Sequence, residues 1–156
     1  ETPLPNLRSI AFKPAIDEAM AEGVAGWPGV QVRVVCADDL QVMADDDHLH
    51  RIITNIVRNA AKATTSRPAG SDAGLVVAEA RLSGGQIALT ISDNGPGVPK
   101  SVIAKLFQPF SRAGSDGGTG LGLAIARELA RGMGGDLELV SSAPTGSTFS
   151  LTLRAG

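Results

Sequence analysis

The chain has little cysteine, little histidine and no surplus of positive charge, and each shortage closes off a class of function. Cys36 is the sole cysteine, so an internal disulfide and a multi-cysteine metal site are excluded, in keeping with a reducing compartment. Two histidines, His48 and His50, are too few for a histidine-rich zinc site. With 14 Lys+Arg against 16 Asp+Glu, the formal net charge is −2. No basic excess exists to neutralise a phosphate backbone, which argues against a nucleic-acid binder. No apolar run approaches the roughly 18 residues that a bilayer crossing needs, and the N-terminal stretch lacks the layout of a signal peptide. The segment is therefore expected to be soluble, with no membrane contact of its own.

Apolar residues and glycine are what the chain does have. A length of 156 residues at 43% apolar content is enough for one core. The expected organisation is a single domain over 14–156, preceded by a linker or edge strand over 1–13, where Pro3 and Pro5 interrupt any pattern. The chain opens on Glu1, as a fragment of a longer protein would. Glycine reaches 19 residues, about 12%, against a usual share of about 7%. It is dense at Gly84-Gly85, at Gly95 and Gly97, and across 114–135.

Periodic segments lie between these glycine clusters. Ile16, Ala19, Met20 and Val24 predict a helix over 14–25, and Val30, Val32 and Val34 alternate as a strand over 29–35, with 41–44 a candidate partner strand. Asp45, Asp46 and Asp47 place acidic groups at a helix start, and Leu49, Ile52, Ile53, Ile56, Val57 and Ala60 follow at helical spacing. A hairpin is predicted from 75–82 and 86–93 across Ser83-Gly84-Gly85. Helices over 99–106 and 119–133 and a strand pair over 136–140 and 147–153 complete the chain. The adjacent hairpins make the sheet at least partly antiparallel, so the expected class is α+β, a mixed sheet covered on one face by helices.

Four segments could carry chemistry. At roughly 100° per residue, Asn55, Asn59 and Lys62 fall within about 60° of one another and form a polar strip beside the apolar stripe. Asparagine oxygen is a hard ligand for Mg²⁺ and lysine neutralises phosphate, although the solvated side of an ordinary amphipathic helix would look the same. Asp93 is next in the series Ile87, Leu89 and Ile91, which aims a carboxylate at the core face. Such a group needs donors, and the exocyclic amine of adenine is one, whereas guanine presents an acceptor there. Asn94-Gly95-Pro96-Gly97 then lets backbone approach a flat base, or simply makes a tight turn that Asp93 caps. The third segment, Gly117-Gly118-Thr119-Gly120-Leu121-Gly122-Leu123, leads into a helix and either frees amide N–H groups for an anion or is a flexible loop with a glycine-rich helix start. Neither a dinucleotide fingerprint nor a Walker A loop fits it, since Leu123 and Ile125 stand where a third glycine would be required and no Gly-Lys pair occurs. Phe107 and Phe110 either anchor the base of a mobile lid, with Arg112 free to swing towards phosphate, or are plain core aromatics before an exposed loop.

Taken in order, these segments resemble the catalytic and ATP-binding domain of bacterial sensor histidine kinases, in the superfamily shared with gyrase, heat-shock chaperones and mismatch-repair ATPases. The likeness runs over about 30–153. Its asparagine box resembles Asp47-(x7)-Asn55-(x3)-Asn59-Ala60-(x)-Lys62, and its first glycine box Asp93-Asn94-Gly95-Pro96-Gly97. The phenylalanine box is similar to Phe107-(x2)-Phe110, and the second glycine box to Gly118-Thr119-Gly120-Leu121-Gly122-Leu123. A final Gly-Thr-x-Phe box appears as Gly146-Ser147-Thr148-Phe149, with the Ser147 hydroxyl able to reach the adenine edge.

The resemblance implies the family's two-layer α/β sandwich, the Bergerat ATP-binding fold, with ATP and Mg²⁺ as cofactors. Carried onto these positions, Asn59 ligates Mg²⁺, Asn55 and Lys62 contact phosphates, Asp93 selects adenine, and Gly95 and Gly97 shape the base pocket. Gly118, Thr119, Gly120, Leu121 and Gly122 line the phosphates under a lid over 107–119 that includes Phe107, Phe110 and Arg112. Hydrolysing relatives place glutamate four residues before the metal-binding asparagine; here that residue is Asn55, a poor general base, which favours phosphoryl transfer over hydrolysis. The implied activity is that of a cytoplasmic protein-histidine kinase module in two-component signalling. Its acceptor histidine belongs to a separate helical dimerisation domain, through which alone it dimerises, and a response-regulator receiver domain lies downstream. His48 and His50 lie in the asparagine-box helix and do not fit the acceptor. A non-catalytic regulatory module and an anti-sigma-type Ser/Thr switch kinase are the alternatives.

Overall fold

The computed structural model describes residues 4–68, 70–108 and 122–156. Among them, eleven elements follow the order β1 (Arg8–Ala11), α1 (Phe12–Gly23), β2 (Gln31–Val35), β3 (Gln41–Ala44), α2 (Asp46–Thr64), β4 (Leu75–Ser83), β5 (Gln86–Asp93), α3 (Lys100–Ile103), α4 (Gly122–Gly132), β6 (Asp136–Ala143) and β7 (Gly146–Arg154). Five strands form one sheet in the order β2-β4-β5-β7-β6. The β2–β4 pair is parallel and the other three pairs are antiparallel. β1 and β3 pair separately.

The longest helix, α2, is well specified by its own residues. The Asp45 carboxylate accepts the His48 N–H at 3.0 Å as an N-cap, and Asp46 and Asp47 oppose the positive end of the helix dipole. Its apolar positions Leu49, Ile52, Ile53, Ile56, Val57 and Ala60 are buried. They meet Val76, Ala78, Ile87, Leu89, Ile91, Phe149, Leu151 and Leu153 from the alternate positions of the central strands in one continuous core. α1 and α4 flank α2 on the same side, giving a helical layer on one sheet face, as expected. No helix among the described residues is long and apolar enough to cross a membrane.

Several expected boundaries and one pairing are corrected. β3 pairs with β1, not with β2, while β2 lies parallel to β4 with α2 within the crossover. Burial of Val42 and Ala44 fixes the face of β3, and α1 separates β2 from β1 in the chain. α1 starts at Phe12, before Pro14, because proline is tolerated in a first turn whose N–H groups lack helical partners. Only 100–103 of the expected helix 99–106 is α-helical. Beyond it, Lys105 N–H bonds Val102 O and Leu106 N–H bonds Ile103 O, tighter three-residue turns that end the helix. β6 extends to Ala143 through an irregularity between Leu139 and Ser141. The described part of the last helix begins at Gly122; the expected start at 119 lies outside the described residues.

One ion-pair cluster ties α4 to β6. Arg127 Nε and Arg131 Nε donate to Asp136 Oδ1 at 3.0 and 3.1 Å. Hydrogen bonding from Arg127, joined by the Leu137 N–H and Arg131, lowers the Asp136 pKa from 3.8 to about 2. The carboxylate therefore stabilises the fold fully above its ordinary pKa and loses that effect as pH falls through about 2. Because the pair is partly solvated, Asp136→Asn is expected to cost only about 1 kcal/mol at neutral pH. Denaturant unfolding of both forms, repeated down to the acid limb, should show the difference shrinking towards zero.

Candidate functional site

The candidate site lies where the end of β5, the C-terminal half of α2 and the β6–β7 turn converge. Ile87, Leu89 and Ile91 point into the core, and Asp93, next on that face, is half-buried. Its carboxylate accepts the Gly95 N–H at 2.9 Å, and the Ser147 backbone N–H faces it as well. Burial nevertheless dominates and pushes the Asp93 pKa above its usual value, only partly offset by those two donors. A half-desolvated carboxylate held by backbone on one side is a strong acceptor for an N–H donor arriving from the other.

Gly95 is buried against α2: a Cβ there would stand 2.8 Å from the Ala63 carbonyl oxygen and 3.0 Å from Asp93 Oδ1. Asp93 thus sits one helical turn beyond Asn59, beside the strip predicted from spacing. Along that strip Asn55 is half-buried, Asn59 exposed and Lys62 half-buried. Asn55 Nδ2 donates to the Gly122 carbonyl at 3.1 Å, which brings the start of α4 against the strip. The structure therefore brings Asn55, Asn59, Lys62, Asp93, Gly95 and Gly122 to one side of α2.

Gly97 has φ +84, and a Cβ there would stand 2.2 Å from the Ala143 carbonyl, so only glycine lets this loop close on the β6–β7 turn. Ser147 is buried, with its hydroxyl oxygen 3.5 Å from that of Ser142. Phe107 is half-buried, edge-on to Phe149 at 6.3 Å between centroids, and the Arg127 guanidinium lies 4.9 Å from its ring centre. Phe110, Arg112, Gly118, Thr119, Gly120 and Leu121 lie outside the described residues.

Three residues make contacts here that motif spacing does not give. Asn94 holds the start of β4, accepting the Leu75 N–H at 2.9 Å and donating to the Ala73 carbonyl at 3.0 Å. Arg127 stacks on Phe107, and Ser142 receives the Val98 N–H at 2.7 Å. Asn94 lay inside a recognised motif, but its partners lie some twenty residues back. Arg127 and Ser142 gave no local signal, because their contacts depend on strand and helix placement.

Among the described residues no group of three His, Cys, Asp or Glu side chains could hold a metal ion. The donor set that is present, carboxamides and an ammonium on one helix, suits a hard cation that arrives already bound to a polyphosphate.

Comparison with known proteins shows the family and the fold. Residues 44–156 match the family model described as histidine kinase-, DNA gyrase B- and HSP90-like ATPase. The chain is 35% identical over 139 residues to the sensor protein TorS of Escherichia coli K12, covering 87% of this chain and 14% of TorS. It is 38% identical over 117 residues to the C4-dicarboxylate transport sensor protein DctB of Rhizobium meliloti, covering 75% of this chain and 18% of DctB. The chain thus spans less than a fifth of the length of these two relatives. Among solved structures, the mycobacterial sensor histidine kinase MprB superimposes with TM-score 0.80 at 27% identity, over 95% of this chain and 98% of that one. Full-length ShkA in complex with AMPPNP aligns with TM-score 0.79 at 26% identity, over 97% of this chain and 32% of ShkA. With most of its length matched by this family model, the chain belongs to the family of histidine kinase-, DNA gyrase B- and HSP90-like ATPases.

Proposed function

We propose that this chain is the ATP-binding catalytic domain of a sensor histidine kinase. It would position Mg·ATP for transfer of the γ-phosphoryl group to a histidine on a separate helical dimerisation domain, with a response-regulator receiver domain downstream. The observation that carries this reading is the half-buried Asp93 carboxylate, held by backbone N–H groups beside the asparagine strip of α2. Asp93 accepts the adenine amine, and Gly95 and Gly97 allow the base to lie close to backbone. Ser147 contributes its N–H to the same carboxylate. Asn55 and Lys62 face the phosphates, joined by Gly118, Thr119, Gly120, Leu121 and Gly122, and Phe107, Phe110 and Arg112 border them. Asn59 would hold Mg²⁺, which when bound offsets the charge of the triphosphate.

The chemistry left to the protein is positioning and electrostatics. Asn55 occupies the place from which a carboxylate would activate water, and its amide instead bonds the Gly122 carbonyl. A neutral carboxamide is a poor proton acceptor, so transfer to a presented histidine is favoured over hydrolysis. The body of the domain is 14–156, with 1–13 as its lead-in, and it works in the cytoplasm. The similarity to TorS, DctB and MprB supports this reading, as does the nucleotide analogue in ShkA.

Mixing the chain with a histidine-bearing dimerisation domain from a sensor kinase and γ-labelled ATP tests it. Label that is alkali-stable and acid-labile on the added domain is the expected result. Absence of label with every such domain tried, or acid-stable, alkali-labile label, would overturn it.

A further inference from the structure

The loop over 95–98 has no regular structure of its own, so neighbouring groups decide its path. One side is tied by Asn94, which bonds both Ala73 and Leu75 at the entry to β4. The other side is tied, among the described residues, by the Ser142 side chain. Ser142 Oγ, on β6, accepts the Val98 N–H at 2.7 Å and lies 3.5 Å from both the Val98 carbonyl and Ser147 Oγ. Ser147 in turn directs its backbone N–H at the Asp93 carboxylate. Ser142 therefore links the far end of the loop to the residue that helps hold Asp93, and Gly97 closes the gap between them against Ala143.

We propose that Ser142, which lies outside every sequence motif, is a positioning residue for the base pocket. Its hydroxyl sets the angle at which the loop over 95–98 meets a purine gripped by Asp93. This rests on the nucleotide-binding reading above. Without the hydroxyl, the Val98 N–H loses this partner and, among the described residues, the loop is held from the Asn94 side. The effect falls on the base and not on the phosphates, so it is independent of metal and of phosphate number. A residue that served only folding would lower thermal stability and leave affinity alone.

Isothermal titration of the parent chain, Ser142→Ala, Ser142→Thr and Asp93→Ala with ADP and with ATP, each with and without Mg²⁺, separates these cases. Ser142→Ala should weaken ADP and ATP alike by about fivefold, the worth of one hydrogen bond, with the gain from Mg²⁺ unchanged. Ser142→Thr, which keeps the hydroxyl, should restore parental affinity. Parental affinity in Ser142→Ala, beside lost binding in Asp93→Ala, would overturn the inference and leave the nucleotide reading standing. A parent that binds neither nucleotide, or Asp93→Ala that binds as well as the parent, would overturn both.

Discussion

Asp93→Asn is expected to weaken Mg·ATP binding about 100-fold without lowering thermal stability, since the carboxylate meets more N–H donors than one carboxamide oxygen can. In the folded chain Gly95 and Ser147 already direct N–H groups at it, and in the proposed complex the adenine amine would add a third. An asparagine has a single acceptor atom and turns its own amide towards one of them. Stability responds in the opposite sense. Burial raises the Asp93 pKa, so at neutral pH the ionised form subtracts from the stability of the fold, and a neutral side chain removes that cost. Calorimetric titration and thermal melts of the same two samples check both halves. The linkage also sets the pH dependence: affinity falls as pH drops through the Asp93 pKa, which burial raises from its ordinary value.

Gly146→Ala should damage fold and site together. Gly146 has φ +149, and a Cβ there would stand 2.0 Å from the Asp93 carbonyl oxygen, so the neighbouring backbone must move. Strain in a conformation reserved for glycine and forced separation of β5 from β7 together cost about 3 kcal/mol. For a domain of this size that is a fall in Tm on the order of 10 °C. The strand end that shifts carries Asp93, so Mg·ATP affinity should also drop at least about tenfold, two hydrogen bonds' worth of misalignment. Gly132→Ala is the control, because a Cβ there meets nothing within 4 Å. Its affinity should match the parent and its melting temperature should be no lower, since alanine favours helix over glycine, and a similar loss in both variants would remove the steric argument.

Period-2 and helical patterns made most of this architecture legible. The alternation through Ile87, Leu89 and Ile91 gives the facing of Asp93 correctly, because a strand has only two sides and the apolar one is buried. The strip of Asn55, Asn59 and Lys62 follows from helix geometry alone, and Asn55 does meet the start of α4. Alternation could not name the partner of β3: it sets a face and not a neighbour, and β1 took the place assigned to β2. The spacing of Ile16, Ala19, Met20 and Val24 leaves the start of α1 open, and the helix begins at Phe12 because a first turn has room for proline at its third position. Within the site, the contacts that sequence missed are the long-range ones. Ser142 lies 44 residues from Val98, and the β5–β7 and β6–β7 pairings together bring them into contact. The predicted residues at 109–121, Phe110 and Arg112 included, lie outside the described residues.

The central claim is that Asp93 grips a purine beside a helix that carries the phosphates. A crystal structure of this chain with Mg²⁺ and a non-hydrolysable ATP analogue tests it most directly. The account predicts the exocyclic amine of adenine within about 3 Å of the Asp93 carboxylate and the triphosphate along Asn55, Asn59 and Lys62. A base seated away from Asp93, or phosphates directed away from α2, would contradict it.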